Sequence, residues 1–147
     1  MATYSFLNVN AAMAGPGGLV NLAAGASAAE EGITIEPAED KNVMTVGADG
    51  RGQHSLIASN ACTVTVRLLK TSPVNAQLMT MYNLQAASSA LWGVNVFTLT
   101  DSARNDLTAV TGVAFKKIPA LTYAKEAGMN EWVFDGISRT SKLGAGD

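Results

Sequence analysis

His54 is the chain's one histidine, and Ser55 stands directly beside it. A nucleophilic serine needs a base held within hydrogen-bond reach and usually a strained elbow of the Gly-x-Ser-x-Gly kind, and neither surrounds Ser55. The pair reads as polar residues near a hairpin. Glu30, Glu31, Glu36, Glu39 and Asp40 gather in one short stretch, and paired carboxylates can divide acid and base work between them. No metal-ligand or calcium-loop spacing accompanies this cluster, so it reads as a solvated or subunit-facing loop. Gly47-x-x-Gly50-x-Gly52 has the outline of a phosphate cradle, yet no Lys-Ser/Thr follows and strands are expected on both sides, which makes it a β-turn. Trp92 and Trp132 have faces that a ligand could stack on. In a chain with 6% aromatic residues they serve better as anchors of a core or an interface.

Composition agrees with the lack of catalytic machinery. The 147 residues are enough for one domain with a full hydrophobic core, so a single domain over 1–147 is expected, with no cofactor or metal. Hydrophobic residues make up 48% and charged residues only 15%; a surface this poor in charge is expected to meet protein. A net charge of −2 offers no electropositive footprint for gripping nucleic acid. Cys62 is the only cysteine, which excludes an internal disulfide and fits a reducing compartment. The opening residues lack the basic start of a secretory signal, and no run reaches the ~18 apolar residues of a membrane span, so a soluble product without membrane insertion is expected.

The elements that must position these residues are mostly strands. Tyr4 to Met13 reads as an opening strand, and the Gly15-Pro16-Gly17-Gly18 turn returns the chain through Leu19 to Leu22 as a hairpin. Ile33 to Glu36 alternates until Pro37, which marks a strand end or a sheet edge. Val43 to Val46 and His54 to Ala58 flank Asp49-Gly50, the signal of a tight turn. Thr63 to Leu69 is the best strand in the sequence, with β-branched residues alternating against a polar face. Ser72-Pro73 opens the one long helix, expected from Pro73 to Ser88, with Ser72 as cap, Pro73 in the first position and an apolar stripe through Val74, Leu78, Met81, Tyr82 and Gln85. Val94 to Thr100, Thr108 to Phe115 and Glu131 to Ile137 read as later strands. The class is mainly β with a flanking helix.

Several strings, in order, resemble one protein family. They are Tyr4-Ser5-Phe6-Leu7-Asn8-Val9, Gly15-Pro16-Gly17-Gly18, Glu31-Gly32-Ile33-Thr34-Ile35, Gly47-Ala48-Asp49-Gly50, His54-Ser55-Leu56, Leu68-Leu69-Lys70-Thr71-Ser72-Pro73-Val74-Asn75, Trp92-Gly93-Val94-Asn95, Ala114-Phe115-Lys116 and Glu131-Trp132-Val133-Phe134. Leu-Leu-Lys-Thr-Ser-Pro is the most specific. Together they resemble the tail tube protein of contractile-tailed bacteriophages, the myovirus tail tube family, which is related in fold to secretion-system and pyocin tubes.

The resemblance implies a β-sandwich or small barrel with a flanking helix, six copies per ring, and rings stacked into a hollow tube within a contractile sheath. Four strands per subunit would give a 24-strand wall roughly 52 Å in backbone diameter, from ~4.8 Å spacing and ~45° tilt. It implies a virion protein assembled in the host bacterial cytoplasm, whose partners are its own copies, the sheath, baseplate and tail terminator proteins, and double-stranded DNA in transit without specific binding. A tube-forming protein of a contractile injection or secretion system is the alternative. Glu36, Glu39, Asp40, Asp49 and Gly50 are then expected at subunit or ring contacts. The channel is expected to be neutral to acidic, because attraction to phosphate repeated in every ring would slow a passing genome.

Overall fold

A computed structural model describes residues 3–22 and 28–145, and the side chains of Glu30 and Glu31 lie outside what it describes. Ten strands and one α-helix are present among the described residues: β1 (Val9–Gly15), β2 (Gly18–Asn21), β3 (Ala28–Pro37), β4 (Asn42–Val46), β5 (Gly52–Leu56), β6 (Cys62–Leu69), α1 (Val74–Ala86), β7 (Asn95–Asp101), β8 (Asp106–Lys117), β9 (Met129–Gly136) and β10 (Ser138–Lys142). The expected mainly-β class with one helix is observed, and every strand pairing is antiparallel.

The opening strand is shorter than expected. Phe6–Asn8 forms a 3-10 turn, because the Ser5 hydroxyl accepts the Leu7 N–H at 3.2 Å and the Ser5 carbonyl accepts that of Asn8 at 3.1 Å. These local bonds hold the segment out of the sheet until Val9. From there Val9, Ala11 and Met13 point inward. Gly17 (φ 107°) and Gly18 (φ 124°) make the turn into β2 in a conformation that side chains resist.

The main sheet has the order β2-β1-β7-β8-β9-β6-β3, with β10 also on β8. β9 and β10 lie along the same side of β8 in one continuing register, with Ala114 opposite Asp135 and Thr111 opposite Ser138. The interruption falls at Gly136-Ile137, across from Gly112. Gly112 has φ 65°, and a Cβ there would sit 3.0 Å from Ile137. A Cβ on Gly136 would lie 2.1 Å from Val110 Cγ1. Both glycines make room for a neighbouring side chain, Ile137 at Gly112 and Val110 at Gly136, where β8 changes partners.

The curled sheet encloses one core. Met13, Val64, Val66, Leu68, Phe97, Val110, Val113, Trp132 and Phe134 are each at most 1% exposed. Leu78 and Met81 of α1 join the same cluster. Each such side chain contributes about 1.5–3 kcal/mol by leaving water. The helix buries Val74, Leu78, Met81 and Gln85 of the stripe expected from sequence, while Tyr82, its fifth member, is half-buried. It starts at Val74 rather than at Pro73. Pro73 already has helical dihedrals, and Ser72 Oγ accepts the Val74 N–H at 3.3 Å, so Ser72 caps the helix from its expected place. A separate 3-10 turn, Ser89–Leu91, follows. Trp132 is a core anchor whose Nε1 donates to Asn75 Oδ1 at 2.9 Å. Trp92 stays partly exposed and meets the Tyr82 ring edge-on.

Candidate functional site

β3 and β6 run side by side to Pro37 and Cys62, and one further backbone bond joins Ala38 to Ala61 at 3.0 Å. Beyond this point the two chains leave the main sheet and continue as the β4-β5 hairpin, which pairs only with itself. Every residue of β4 and β5 is exposed. Its apolar side chains are exposed with them: Val43, Met44, Val46 and Leu56 range from 49% to 86%. An isolated two-stranded ribbon is marginal in water, so a hairpin held out with apolar groups on it needs a surface to lie on.

The structure brings the sequence-singled residues onto this projection. Glu36 lies opposite Thr63, one residue before β3 ends, and Glu39 and Asp40 occupy the turn into the hairpin; all three are exposed and have no ion-pair partner among the described residues. Lys41 beside them is tied inward, donating to the Ser59 carbonyl and to Asn60 Oδ1. Asp49 and Gly50 form the tip. Gly47 N donates to Arg51 O at 2.7 Å, Gly50 takes φ 87°, and Asp49 Oδ1 accepts the Arg51 N–H at 3.1 Å. This is the expected tight turn. β5 spans Gly52 to Leu56, starting and ending earlier than the expected His54 to Ala58.

His54 sits on the hairpin across from Met44, and its Nδ1 lies 3.1 Å from Asn42 Nδ2. It has no carboxylate partner and no nucleophile aligned with it, so the arrangement has the pieces of neither a triad nor a dyad. The described residues hold no group of three or more metal-ligating side chains. A groove of about 800 Å³ opens at the root of the hairpin, walled by Ala61, Cys62, Trp92, Ala114 and Ile137. It is lined by small and apolar groups, with Asp135 as its one carboxylate. Burial pushes the Cys62 thiol above its ordinary value, Arg139 pulls it back in part and Asp135 adds to the rise. A neutral thiol is a poor nucleophile.

The opposite end of the molecule, where β6 finishes and β9 begins, carries the feature that sequence reading passed over. The connection between β8 and β9, residues 118–128, returns there without helix or strand, with a bend at Lys125 and Glu126. Gly128 O accepts the Lys70 N–H at 3.3 Å, and Lys70 Nζ donates to the Thr122 carbonyl and stands 3.8 Å from the centre of the Tyr123 ring. Ile118, Leu121, Tyr123 and Met129 are 44% to 80% exposed. Their signal in the sequence was an apolar content too high for a loop, Ile118-Pro119-Ala120-Leu121-Thr122-Tyr123, in a stretch without strand alternation.

Four of the ten lysines and arginines have a carboxylate partner among the described residues. Arg67 lies 3.3 Å from Glu131, Arg104 3.5 Å from Asp101, Arg51 3.8 Å from Asp49 and Lys116 3.9 Å from Asp135. No helix among the described residues is long and apolar enough to cross a membrane.

Comparison with known proteins gives two findings. The model of a family described as Bacteriophage PhiTE tail tube protein matches residues 1–144. Among solved structures, a chain of the anti-feeding prophage cap, described as a tube-terminating cap, is similar over 97% of this chain and 94% of its own, with a TM-score of 0.57 and 12% identity, a likeness of fold. A search of curated protein sequences finds no match.

Proposed function

The chain belongs to this bacteriophage tail tube family, a family of structural tail proteins, and we propose that six copies close into a ring and that rings stack into the inner tube of a contractile tail, which transmits sheath contraction and conducts the viral genome. The observation that carries this reading is the β4-β5 hairpin, exposed along its whole length and rich in apolar groups, in a chain matched by a tail tube family from residue 1 to 144.

Two further features support it. β2 and β3 end the main sheet with free edges, and edges of this kind are sticky in a lone subunit and satisfied when neighbours add their strands around a ring. The exposed faces of β6 and β9 carry Thr63, Thr65 and the Arg67–Glu131 pair, so a channel built from such faces would offer DNA few unmatched cations. In this reading Glu36, Glu39, Asp40, Asp49 and Gly50 are subunit or ring contacts, no residue is catalytic, and no cofactor is required. Sheath, baseplate and tail terminator proteins are the other partners, with assembly in the host cytoplasm.

Mass measurement and negative-stain microscopy of the purified protein test the proposal. Hexameric rings or tubes are expected; a monomer at every concentration and salt, with no tubes, sinks it.

A further inference from the structure

We infer that a small cleft at the hairpin root, between the turn before β4 and the first residues of β10, is a binding site for an oxyanion of the size and charge of inorganic phosphate. The site is complete within one chain, so the inference stands apart from the tube reading.

Backbone bonds bring three segments together there. Ala38 N donates to Ala61 O, Ile57 N to Lys41 O and Arg139 N to Asn60 O, each at 3.0 Å, and Asn60 also bridges to Ser138. Arg139 and Ser141, two residues apart on β10, share one face of that strand. Between the segments lies a cleft of about 240 Å³, distinct from the larger apolar groove beside it, and six of its eight lining residues are polar or charged: Glu39, Lys41, Ser59, Asn60, Arg139 and Ser141. Pockets for drug-sized ligands run from roughly 300 to 1,000 Å³. This volume selects a small ion.

Charge selects the sign of that ion. Lys41 Nζ donates to the Ser59 carbonyl and to Asn60 Oδ1, which holds the ammonium at the wall and leaves one of its three N–H groups for a ligand. Half-buried Arg139 donates its Nε–H to Ser141 Oγ at 2.9 Å, which fixes the guanidinium, and its other N–H groups have no hydrogen-bond or ion-pair partner among the described residues. A guanidinium held in this way offers a planar fork to two oxygens of an oxyanion, and the ammonium adds a point charge and a further donor. Glu39 is the one carboxylate of the lining; Glu36 and Asp40 lie outside it. Glu39 forms an ion pair with neither cation. Two cations against one carboxylate leave a single positive charge, so the cleft attracts an anion and Glu39 weakens the attraction. A bound oxyanion ties the turn before β4 to β10 and stiffens the base from which the hairpin projects.

The test titrates inorganic phosphate into the full chain near neutral pH, at constant ionic strength in chloride, and reads binding from the phosphorus NMR line width. The wild-type chain is expected to bind saturably at one site. Arg139→Gln and Lys41→Met are each expected to weaken binding by about tenfold or more, and Glu39→Gln to tighten it by about tenfold, because a like charge is removed from beside the ligand. Circular dichroism checks that each variant folds, and a gain of binding in Glu39→Gln is a result that misfolding cannot produce. Phosphate also stabilises proteins by exclusion from their surface, so a rise in unfolding midpoint counts only as far as Arg139→Gln removes it. Line broadening that never saturates, equal affinity in the wild-type and Arg139→Gln chains, or no gain in Glu39→Gln overturns the site. Each of these results leaves the tube reading as it stands.

Discussion

Gln85 of the helix and Asn95 at the start of β7 face each other inside the core and exchange two amide hydrogen bonds, each 2.8 Å long. Gln85 Nε2 also donates to the Pro16 carbonyl at 2.9 Å, and Asn95 Nδ2 to the Val113 carbonyl at 3.1 Å. Both residues are fully buried. One polar pair thus ties the helix, the β1-β2 turn, β7 and β8 together with both N–H groups of each amide matched, a low-dielectric network that specifies one packing. Asn95→Leu is expected to cost about 2–4 kcal/mol, because it strands the Gln85 amide and the Val113 carbonyl away from water. Adding Gln85→Leu should cost less than a second independent loss; urea unfolding of the four chains in a double-mutant cycle measures the coupling.

The crossing of β8 and β9 leaves no room for a methyl group at Gly136. Gly136→Ala is expected to destabilise by about 1–3 kcal/mol through overpacking against Val110, and Val110→Ala in the same chain should recover part of that loss despite the cavity it opens elsewhere. Thermal unfolding of both chains decides it. Equal losses that simply add would remove the contact as the cause.

Leu78 lies on the buried stripe of α1 with no exposed surface. Leu78→Asp places a carboxylate without a partner in the core and is expected to cost about 3–5 kcal/mol, or to force the helix off its seat. Unchanged unfolding and assembly would contradict the packing.

Replacing Glu36, Glu39 and Asp40 together by Ala should change tube length or tube stability and leave the subunit's circular dichroism and unfolding midpoint unchanged, since all three are exposed and have no ion-pair partner among the described residues. Normal tubes would exclude them from the contacts.

Cys62 gives a pH dependence. Its thiol is held above its ordinary value chiefly by burial, so above the ordinary thiol range the unfolded chain has lost a proton that the folded chain retains. Stability from this group is fully present below that range and is lost as pH rises through the folded value. Urea midpoints should therefore fall on the alkaline side in the wild-type chain, and fall less in Cys62→Ala. The native thiol should also react slowly with a maleimide at neutral pH, with the rate rising on unfolding.

Much of the fold was legible where a residue's fate depends on its near neighbours. The alternation in Thr63 to Leu69 placed Val64, Val66 and Leu68 on one face, and they are buried on one face of the strand Cys62–Leu69. The spacing of Val74, Leu78, Met81, Tyr82 and Gln85 marked the helix stripe, of which all but Tyr82 are buried; Pro37, read as a strand end or a sheet edge, ends β3 at the edge of the sheet, and Asp49-Gly50 marked the hairpin tip. β10 was missed. Ser138–Lys142 has no apolar alternation, and it is a strand only because β9 delivers it alongside β8 in register.

By itself, then, the sequence determined the local periods, the turns, the absence of a histidine-based catalytic pattern and the family likeness, because each depends on residue types at short spacing. Only the tertiary structure decided that β6 lies between β3 and β9, that Gly112 and Gly136 stand where β8 changes partners, and that β4 and β5 leave the main sheet as a separate hairpin. Those relations join residues dozens of positions apart, and the free energy that selects among possible pairings comes from burying one shared core, which no short stretch of chain contains.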